Sequence, residues 1–582
     1  MSDLTYRFEL DLAASPDELW PLVSDTNRFN RDAGVPAIDE RGRGPNARKR
    51  LRLTRLGVPV EWEEEPFEWV SPNRFSVLRR YVRGPLESMR VTATLSPRDD
   101  GGTHLVYDVV ARPRGVVGRI AAAVQIGFLS RRRFEEVFRR YDAEARGGAP
   151  LVPTPRLAPG ARERLDAAQQ ALPSGPAKRL VDLVERGDEL TVSRLRPYAL
   201  ADAWGSGRRE TLELCLEATR AGLLELQWEL LCPLCRGAAT TETELADAGG
   251  RRHCATCLID FDVGFDRSVE VTFRPAPAIR ETARATFCVG GPQLTPHVVV
   301  QQLVAAGERR SVRVRLESGR YRLRALALPQ ALPVVVEAGG PEEAEAQLGG
   351  GGWSHEELRL GEQATLTLEN ATAEEQLFEL ERTAWSDQAV TAAEVTALQV
   401  YRDLFAAEAL RPGQPISVGT LTVVFTDLRG STRYYREIGD APAFGSVLAH
   451  VDALRDAVAG EGGAVVKSMG DAIMAVFPRP VAAVRAMLSA QRSLAGKPLA
   501  LKVGVHTGPC IAVTQNGVLD YFGSTVNLAS RLVALSIGED LVVSDAVLTD
   551  PEVAALGLAA DPLERELKGF EGEQFALWRV RA

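Results

Sequence analysis

The stretch Leu421–Thr432, LTVVFTDLRGST, constrains this chain more than any other. Its apolar, β-branched run reads as a buried strand carrying Asp427 to its end, and Gly430, Ser431 and Thr432 then turn into a helical pattern that begins near Tyr434. A carboxylate at a strand end beside a loop of backbone amides can hold a metal ion and a phosphate together. Alone, the same residues also describe an ordinary strand capped into a helix. The rest of the chain has to decide.

At roughly 100 to 200 residues per domain, 582 residues make a modular protein. A net charge of -9 argues against a protein whose main task is coating nucleic acid, which is not expected as a partner. The opening MSDLTYRFELDL lacks a secretory pattern. The longest apolar segment, Ile120 to Leu129, is about half the length needed to span a bilayer and is flanked by Arg119 and Arg131 to Arg133; it reads as a buried helix, and no membrane contact is expected. Four of the seven cysteines form two C-x-x-C pairs, which points to metal binding in a reducing compartment and so to the cytoplasm.

Residues 1–146 read as strand, small helices, a meander of strands and a closing helix with Phe134, Val137, Phe138 and Tyr141 at helical spacing. This order resembles the START-like or polyketide-cyclase-like helix-grip fold, which often binds an apolar ligand, so a sensor for a small apolar ligand and a closed core without one are both open. Residues 160–231 read as helices followed by an alternating strand, a winged-helix-like unit whose arginines are interleaved with acids. Cys232, Cys235, Cys254 and Cys257 then enclose a polar, glycine-containing spacer over 232–268, a zinc-ribbon spacing that predicts one structural Zn²⁺ with its coordination sphere filled by thiolates. Period-two alternation over 269–384 predicts a β-sandwich. Residues 388–412 predict a transducer helix, with Val395, Leu398, Tyr401 and Phe405 on one face. That stripe packs either on a neighbouring domain or on its copy in a second chain.

Two further segments join the opening one. Val465–Phe477 reads as strand, tight Gly470 turn and strand, placing Asp471 where it could face Asp427. Two carboxylates there suit a pair of Mg²⁺ or Mn²⁺ ions. In Asp520–Leu532 the pattern turns helical from Thr525, so Asn527 and Arg531 at i and i+4 share a face. An amide and a guanidinium together can position a sugar and stabilise phosphoryl charge.

FTDLRGST, KSMGD, VGVHTGP, YFGSTVNLASRL and a late LKG together resemble, in order and spacing, the class III nucleotidyl cyclases over 417–582. The resemblance implies a ferredoxin-like βαββαβ core that dimerises head to tail with its sites across the interface. It implies metal ligation by Asp427, the Leu428 carbonyl and Asp471, and adenine recognition by Lys467 and Asp520. Asn527 would orient the ribose, Arg531 would stabilise the transition state, and Lys568 with Gly430, Ser431 and Thr432 would bind the triphosphate. Lysine can donate to adenine N1 and aspartate can accept from the exocyclic amine, whereas guanine reverses that edge. The expectation is a multidomain α+β protein whose C-terminal domain is a homodimeric adenylate cyclase acting on ATP. Guanylate cyclase activity and a silent nucleotide-binding regulator are the alternatives.

Overall fold

The computed structural model describes residues 2–43, 48–55, 57–148, 155–172, 175–232, 238–254, 259–266, 268–282, 286–325, 330–383, 388–406, 410, 415–570 and 574–581. The chain divides into two compact units: residues 1–155, 188–190 and 283–387, and residues 156–187, 191–282 and 388–582.

In the first unit, an antiparallel meander built from Leu4–Leu12, Arg74–Arg83, Leu86–Pro97 and Thr103–Pro113 grips the helix Ser130–Ala145. Val137, Phe138 and Tyr141 of that helix are buried. Phe29 stacks on Phe138 at 5.0 Å and Phe134 meets Tyr107 at 5.3 Å, so aromatic side chains pack this part of the grip. The same sheet runs on into the sandwich, because Val70 pairs with Val300 and Trp69 with Gln301. The segments expected as separate domains over 1–146 and 269–384 therefore share one sheet. The sandwich's second layer is Arg309–Arg315, Gln363–Asn370, Glu343–Gly349 and Gly352–Trp353.

Ile120–Leu129 corrects an expectation. It continues the helix Gly115–Ala122 as the π-helical turn Ala123–Leu129, and no residue of that turn is buried. The reason is the placing of small residues. A Cβ on Gly118 would lie 2.1 Å from the Pro85 carbonyl oxygen and one on Gly127 would lie 2.8 Å from the Tyr6 ring, so the glycine face is the one that packs.

In the second unit, helices including Ala161–Ala171, Pro176–Arg186, Pro197–Trp204 and Arg208–Arg220 precede a three-stranded sheet of Ala238–Glu242, Leu224–Leu231 and Val269–Pro275. Val269–Pro275, assigned by its alternation to the sandwich, instead pairs along its length with Leu224–Leu230. Cys232 follows that central strand and Cys254 ends Arg251–Cys254, both buried. Cys235 and Cys257 lie outside the described residues. The expected transducer helix is two short helices, Ala392–Thr396 and Gln399–Leu404. The Arg402 guanidinium takes the Thr396 carbonyl through Nε at 3.0 Å, an acceptor that a continuous helix would use for its own ladder.

The C-terminal domain runs β1 (Ile416–Arg429), α1 (Ser431–Ile438), α2 (Asp440–Gly460), β2 (Ala464–Met469), β3 (Ala472–Phe477), α3 (Pro480–Leu494), β4 (Ala500–Gln515), β5 (Val518–Phe522), α4 (Ser524–Leu535), β6 (Asp540–Ser544), β7 (Ala560–Pro562) and β8 (Leu577–Arg581). Sheet order is β2-β3-β1-β4-β6-β8-β7, with β5 folded back on β4. The first four strands give the expected βαββαβ core. Helices α2 and α3 bury Val447, Leu454, Val458, Val484 and Met487 with the sheet residues Val424, Ile473 and Val503 in one cluster.

Candidate active site

The strand β1 is buried from Leu421 to Thr426 and delivers Asp427 to its end. Thr426 pairs with Ile473, so Asp427 and Asp471, which precedes β3 at the Gly470 turn, lie at the same end of adjacent strands. Asp471 Oδ2 is buried without a hydrogen-bond donor among the described residues. A buried carboxylate oxygen left so is costly, and a cation would satisfy it. The donor set therefore fits a divalent metal. Lys502, opposite Asp427 in the β1–β4 register, brings its Nζ to 3.5 Å from Asp427 Oδ2. Sequence reasoning missed this lysine, whose place depends on a pairing of strands more than 70 residues apart.

After Asp427 the chain turns through Gly430, whose φ of +77° is left-handed, and enters α1. No side chain caps α1, so Gly430, Ser431 and Thr432 stand at a helix start suited to an anion.

Lys467 and Asp520 do come together. Lys467 Nζ lies 2.6 Å from Asp520 Oδ2, and Asp520 is only 3% exposed. The other oxygen, Oδ1, accepts from the Tyr521 amide at 2.8 Å. The Lys467 ammonium also sits 5.6 Å from the centroid of the exposed Phe522 ring.

Asn527 and Arg531 share the exposed face of α4, while Leu528 and Leu532 bury the opposite one. Gly504 on β4 makes that packing close, since a Cβ there would meet the Val533 amide nitrogen at 2.3 Å. Lys568 is exposed and follows Leu567, which is buried in a cluster with Leu528 and Leu532. Asp427 thus pairs with Lys502 and Lys467 with Asp520. A cavity of about 530 Å³ in the same unit is lined by Tyr198, Arg209, Glu394, Val418, Leu421 and Arg479, and by none of these candidate residues.

The connector before β1 is held on both sides. On the upstream side, the Val271 amide donates to Val390 at 2.8 Å and the Ala393 amide to Phe265 at 3.2 Å. Tyr401 meets the fully buried Trp228 edge-on at 6.0 Å. Tyr198 donates to Glu394, whose carboxyl burial pushes above the usual range. On the downstream side, Arg402 donates through Nη1 to the Leu519 carbonyl at 3.0 Å, the Tyr521 hydroxyl donates to Thr396 Oγ1 at 3.1 Å, and the Val465 amide donates to Gln399 Oε1 at 2.8 Å. These last three contacts reach the strands that carry Asp520 and Lys467. The stripe of the expected transducer helix therefore packs within its own chain.

Residues 414–550 match the family described as the adenylate and guanylate cyclase catalytic domain, and residues 160–287 match a family of unknown function, DUF5939. The chain carries a class III adenylate/guanylate cyclase catalytic domain in its C-terminal part. An adenylate cyclase of Streptomyces coelicolor is 35% identical over 136 residues, covering 23% of this chain and 33% of that protein. An uncharacterized protein of Mycobacterium tuberculosis is 33% identical over 159 residues, 27% of this chain and 40% of that one. An adenylate cyclase of Neurospora crassa is 27% identical over 165 residues, 23% of this chain and 7% of that one. The matches thus span less than half of each relative.

Proposed function

We propose that the protein is an adenylate cyclase that converts ATP to 3′,5′-cyclic AMP and pyrophosphate. The observation that carries this reading is the Lys467–Asp520 pair, 2.6 Å apart, which presents a donor and an acceptor side by side for the adenine edge. Asn527 orients the ribose so that its 3′-oxygen lies in line with the α-phosphate. Arg531 stabilises the charge that develops as the O3′–Pα bond forms and the bond from Pα to the bridging oxygen breaks. Lys568 and the amides of Gly430, Ser431 and Thr432 bind the leaving pyrophosphate, and the 3′-hydroxyl proton passes to water. Two Mg²⁺ or Mn²⁺ ions, held by Asp427, Asp471 and the Leu428 carbonyl, supply neutralisation of the phosphates and a lower 3′-hydroxyl pKa when bound.

The active unit is a homodimer in which the Asp427 half of one chain meets the Lys467 half of the other. Exposed apolar side chains support this: Phe444 and Leu448 on α2, Met469 on β2, and Val518 and Phe522 on β5 are 41–61% exposed. Cys232, Cys235, Cys254 and Cys257 hold a structural Zn²⁺, a reading supported by the buried positions of Cys232 and Cys254 at strand ends. The START-like domain, the winged-helix-like unit and the sandwich serve as sensors upstream of the cyclase.

The test is incubation of the full chain with ATP and Mn²⁺, with Asp427→Ala as the blank. Cyclic AMP above that blank is expected, and its absence sinks the proposal. Faster turnover of GTP would replace it with a guanylate cyclase, and ATP binding without turnover in the dimer with a silent regulator.

A further inference from the structure

Helices of globular domains bury their large apolar residues and leave polar ones outside. Gly115–Leu129 does the reverse. Its packed side is mostly small: Gly118 lies against the Pro85 carbonyl, Gly127 against the Tyr6 ring, Ala122 is buried with Leu86 and Ala111, and Ile126 is the one large apolar residue turned inward against them. Its outer side carries Val116, Val117, Ile120, Val124, Phe128 and Leu129, each between 51% and 80% exposed. Residues 116, 120, 124 and 128 are four apart, so the stripe runs along one edge of the element.

The charge around the stripe is equally one-sided. Between Asp108 and Glu135 the sequence has six arginines, at 112, 114, 119, 131, 132 and 133, and no Asp, Glu or Lys, in a chain whose net charge is -9. Arg112 pairs with Asp3 and Arg131 with Glu135. Arg114 donates to the carbonyls of Tyr81 and Val82, and Val82 adds another exposed apolar side chain. Arg119, in the first turn of the stripe, and Arg131, Arg132 and Arg133, just past its end, are exposed residues; Arg119 donates to Ser2 Oγ and Arg133 to the Ala33 carbonyl, each at 3.4 Å. At 1.5 Å per residue the element is roughly 22 Å long, and no helix among the described residues is long and apolar enough to cross a membrane. An apolar stripe bounded by cations and too short to span is the pattern of an element that lies in the plane of a bilayer surface.

We propose that Gly115–Leu129 docks on anionic lipid, with Ile120, Val124 and Phe128 entering the headgroup–acyl boundary and the flanking arginines meeting lipid phosphates. The charge decides between occupants. A second copy of this chain would set the arginines around the stripe against their own copies, whereas an anionic surface is complementary to those that Asp3 and Glu135 do not already pair. The membrane contact is independent of the cyclase chemistry. It can hold or fail whatever nucleotide the C-terminal domain uses.

The experiment is flotation of the full chain with vesicles of phosphatidylcholine alone or with about one-third phosphatidylglycerol, at low and high salt. Binding to the anionic vesicles at least tenfold above the neutral ones, weakened by salt, is expected. The pair Ile120→Asp and Phe128→Asp should reduce binding at least tenfold; both side chains are exposed, so the fold is retained. The set Arg131→Gln, Arg132→Gln and Arg133→Gln leaves the stripe intact and should weaken binding to anionic vesicles alone. No binding to anionic vesicles overturns the proposal, as does binding unchanged by both variant sets. An oligomer that the Ile120/Phe128 pair dissociates, in protein that does not float, overturns it in favour of a second copy on this face.

Discussion

Arg402 donates to the Leu519 carbonyl at 3.0 Å, one residue before the buried Asp520, and its guanidinium lies 5.2 Å from the centroid of the Tyr521 ring, one residue after it. The connector that presses on Trp228 upstream therefore also holds the strand that carries Asp520, the carboxylate proposed to read the base. Such a contact should affect how nucleotide is gripped more than how phosphate is displaced. Arg402→Ala is expected to raise KM for ATP about five- to tenfold, the worth of one hydrogen bond to a positioned strand. The preference for ATP over GTP should fall, with kcat changed less. Arg402→Lys, which keeps a donor, should restore part of the effect. Steady-state kinetics with both nucleotides check this, and an equal loss for ATP and GTP confined to kcat would contradict it.

The sequence made some of this architecture legible and hid the rest for identifiable reasons. The β1 strand and its turn into α1 could be read because an unbroken apolar run ends at a charge and a glycine. Asn527 and Arg531 could be placed on one face because helical spacing is local. The partner of Val269–Pro275 could not be read, because alternation states that one face is buried without naming the neighbouring strand. Gly115–Leu129 reads as buried from its hydrophobicity alone, whereas its glycines decide which face packs. Motif resemblance pairs Lys467 with Asp520, whereas their contact depends on β5 folding back on β4.

Divalent metal should be required by Asp427 and Asp471 in separable ways. Asp427→Ala and Asp471→Ala are each expected to lower cyclase activity by about two to three orders of magnitude or more. Mn²⁺ should protect the wild-type hairpin Ala464–Phe477 from hydrogen exchange, and should not do so in either variant. Without metal, Asp471→Asn should leave that protection equal or higher, because Asp471 Oδ2 is buried without a donor among the described residues and the amide carries no charge. A drop in metal-free protection would contradict this account.

His506 on β4 makes the catalytic sheet acid-sensitive. Burial pushes its imidazole down to about 4 while Ser544 Oγ lies 2.7 Å from its Nδ1. An unfolded histidine takes its proton near 6.5, so between those values the unfolded state binds the extra proton and stability rises with pH. The contribution is complete above about pH 6.5 and is lost progressively as pH falls toward 4. His506→Gln should flatten this dependence. Hydrogen exchange of the Ala500–Gln515 amides, compared between the two proteins at each pH, reads it locally; parallel profiles would refute the assignment.

Gly504→Ala should separate helix seating from nucleotide recognition. The added methyl would meet backbone at 2.3 Å, so α4 must shift and carry Asn527 and Arg531 with it. Overpacking of this kind costs about 1–3 kcal/mol. The expected outcome is a kcat reduced about tenfold or more with binding of ATP retained, measured by turnover and by equilibrium binding. Unchanged kcat would mean that α4 does not position the reacting groups.

Subunit complementation tests the division of the site. Asp427→Ala removes the proposed metal ligand and leaves Arg531, while Arg531→Ala does the opposite, and each homodimer should be inactive. If each site takes Asp427 from one chain and Arg531 from the other, a heterodimer of the two variants has one doubly damaged site and one intact site. Random exchange in an equal mixture makes about half of all dimers heterodimers, so the mixture should recover about a quarter of wild-type activity. Both groups drawn from the same chain would leave every site damaged and the mixture inactive. Measuring cyclic AMP formation before and after subunit exchange distinguishes the two arrangements, and no recovery in exchanged dimers would exclude the shared site.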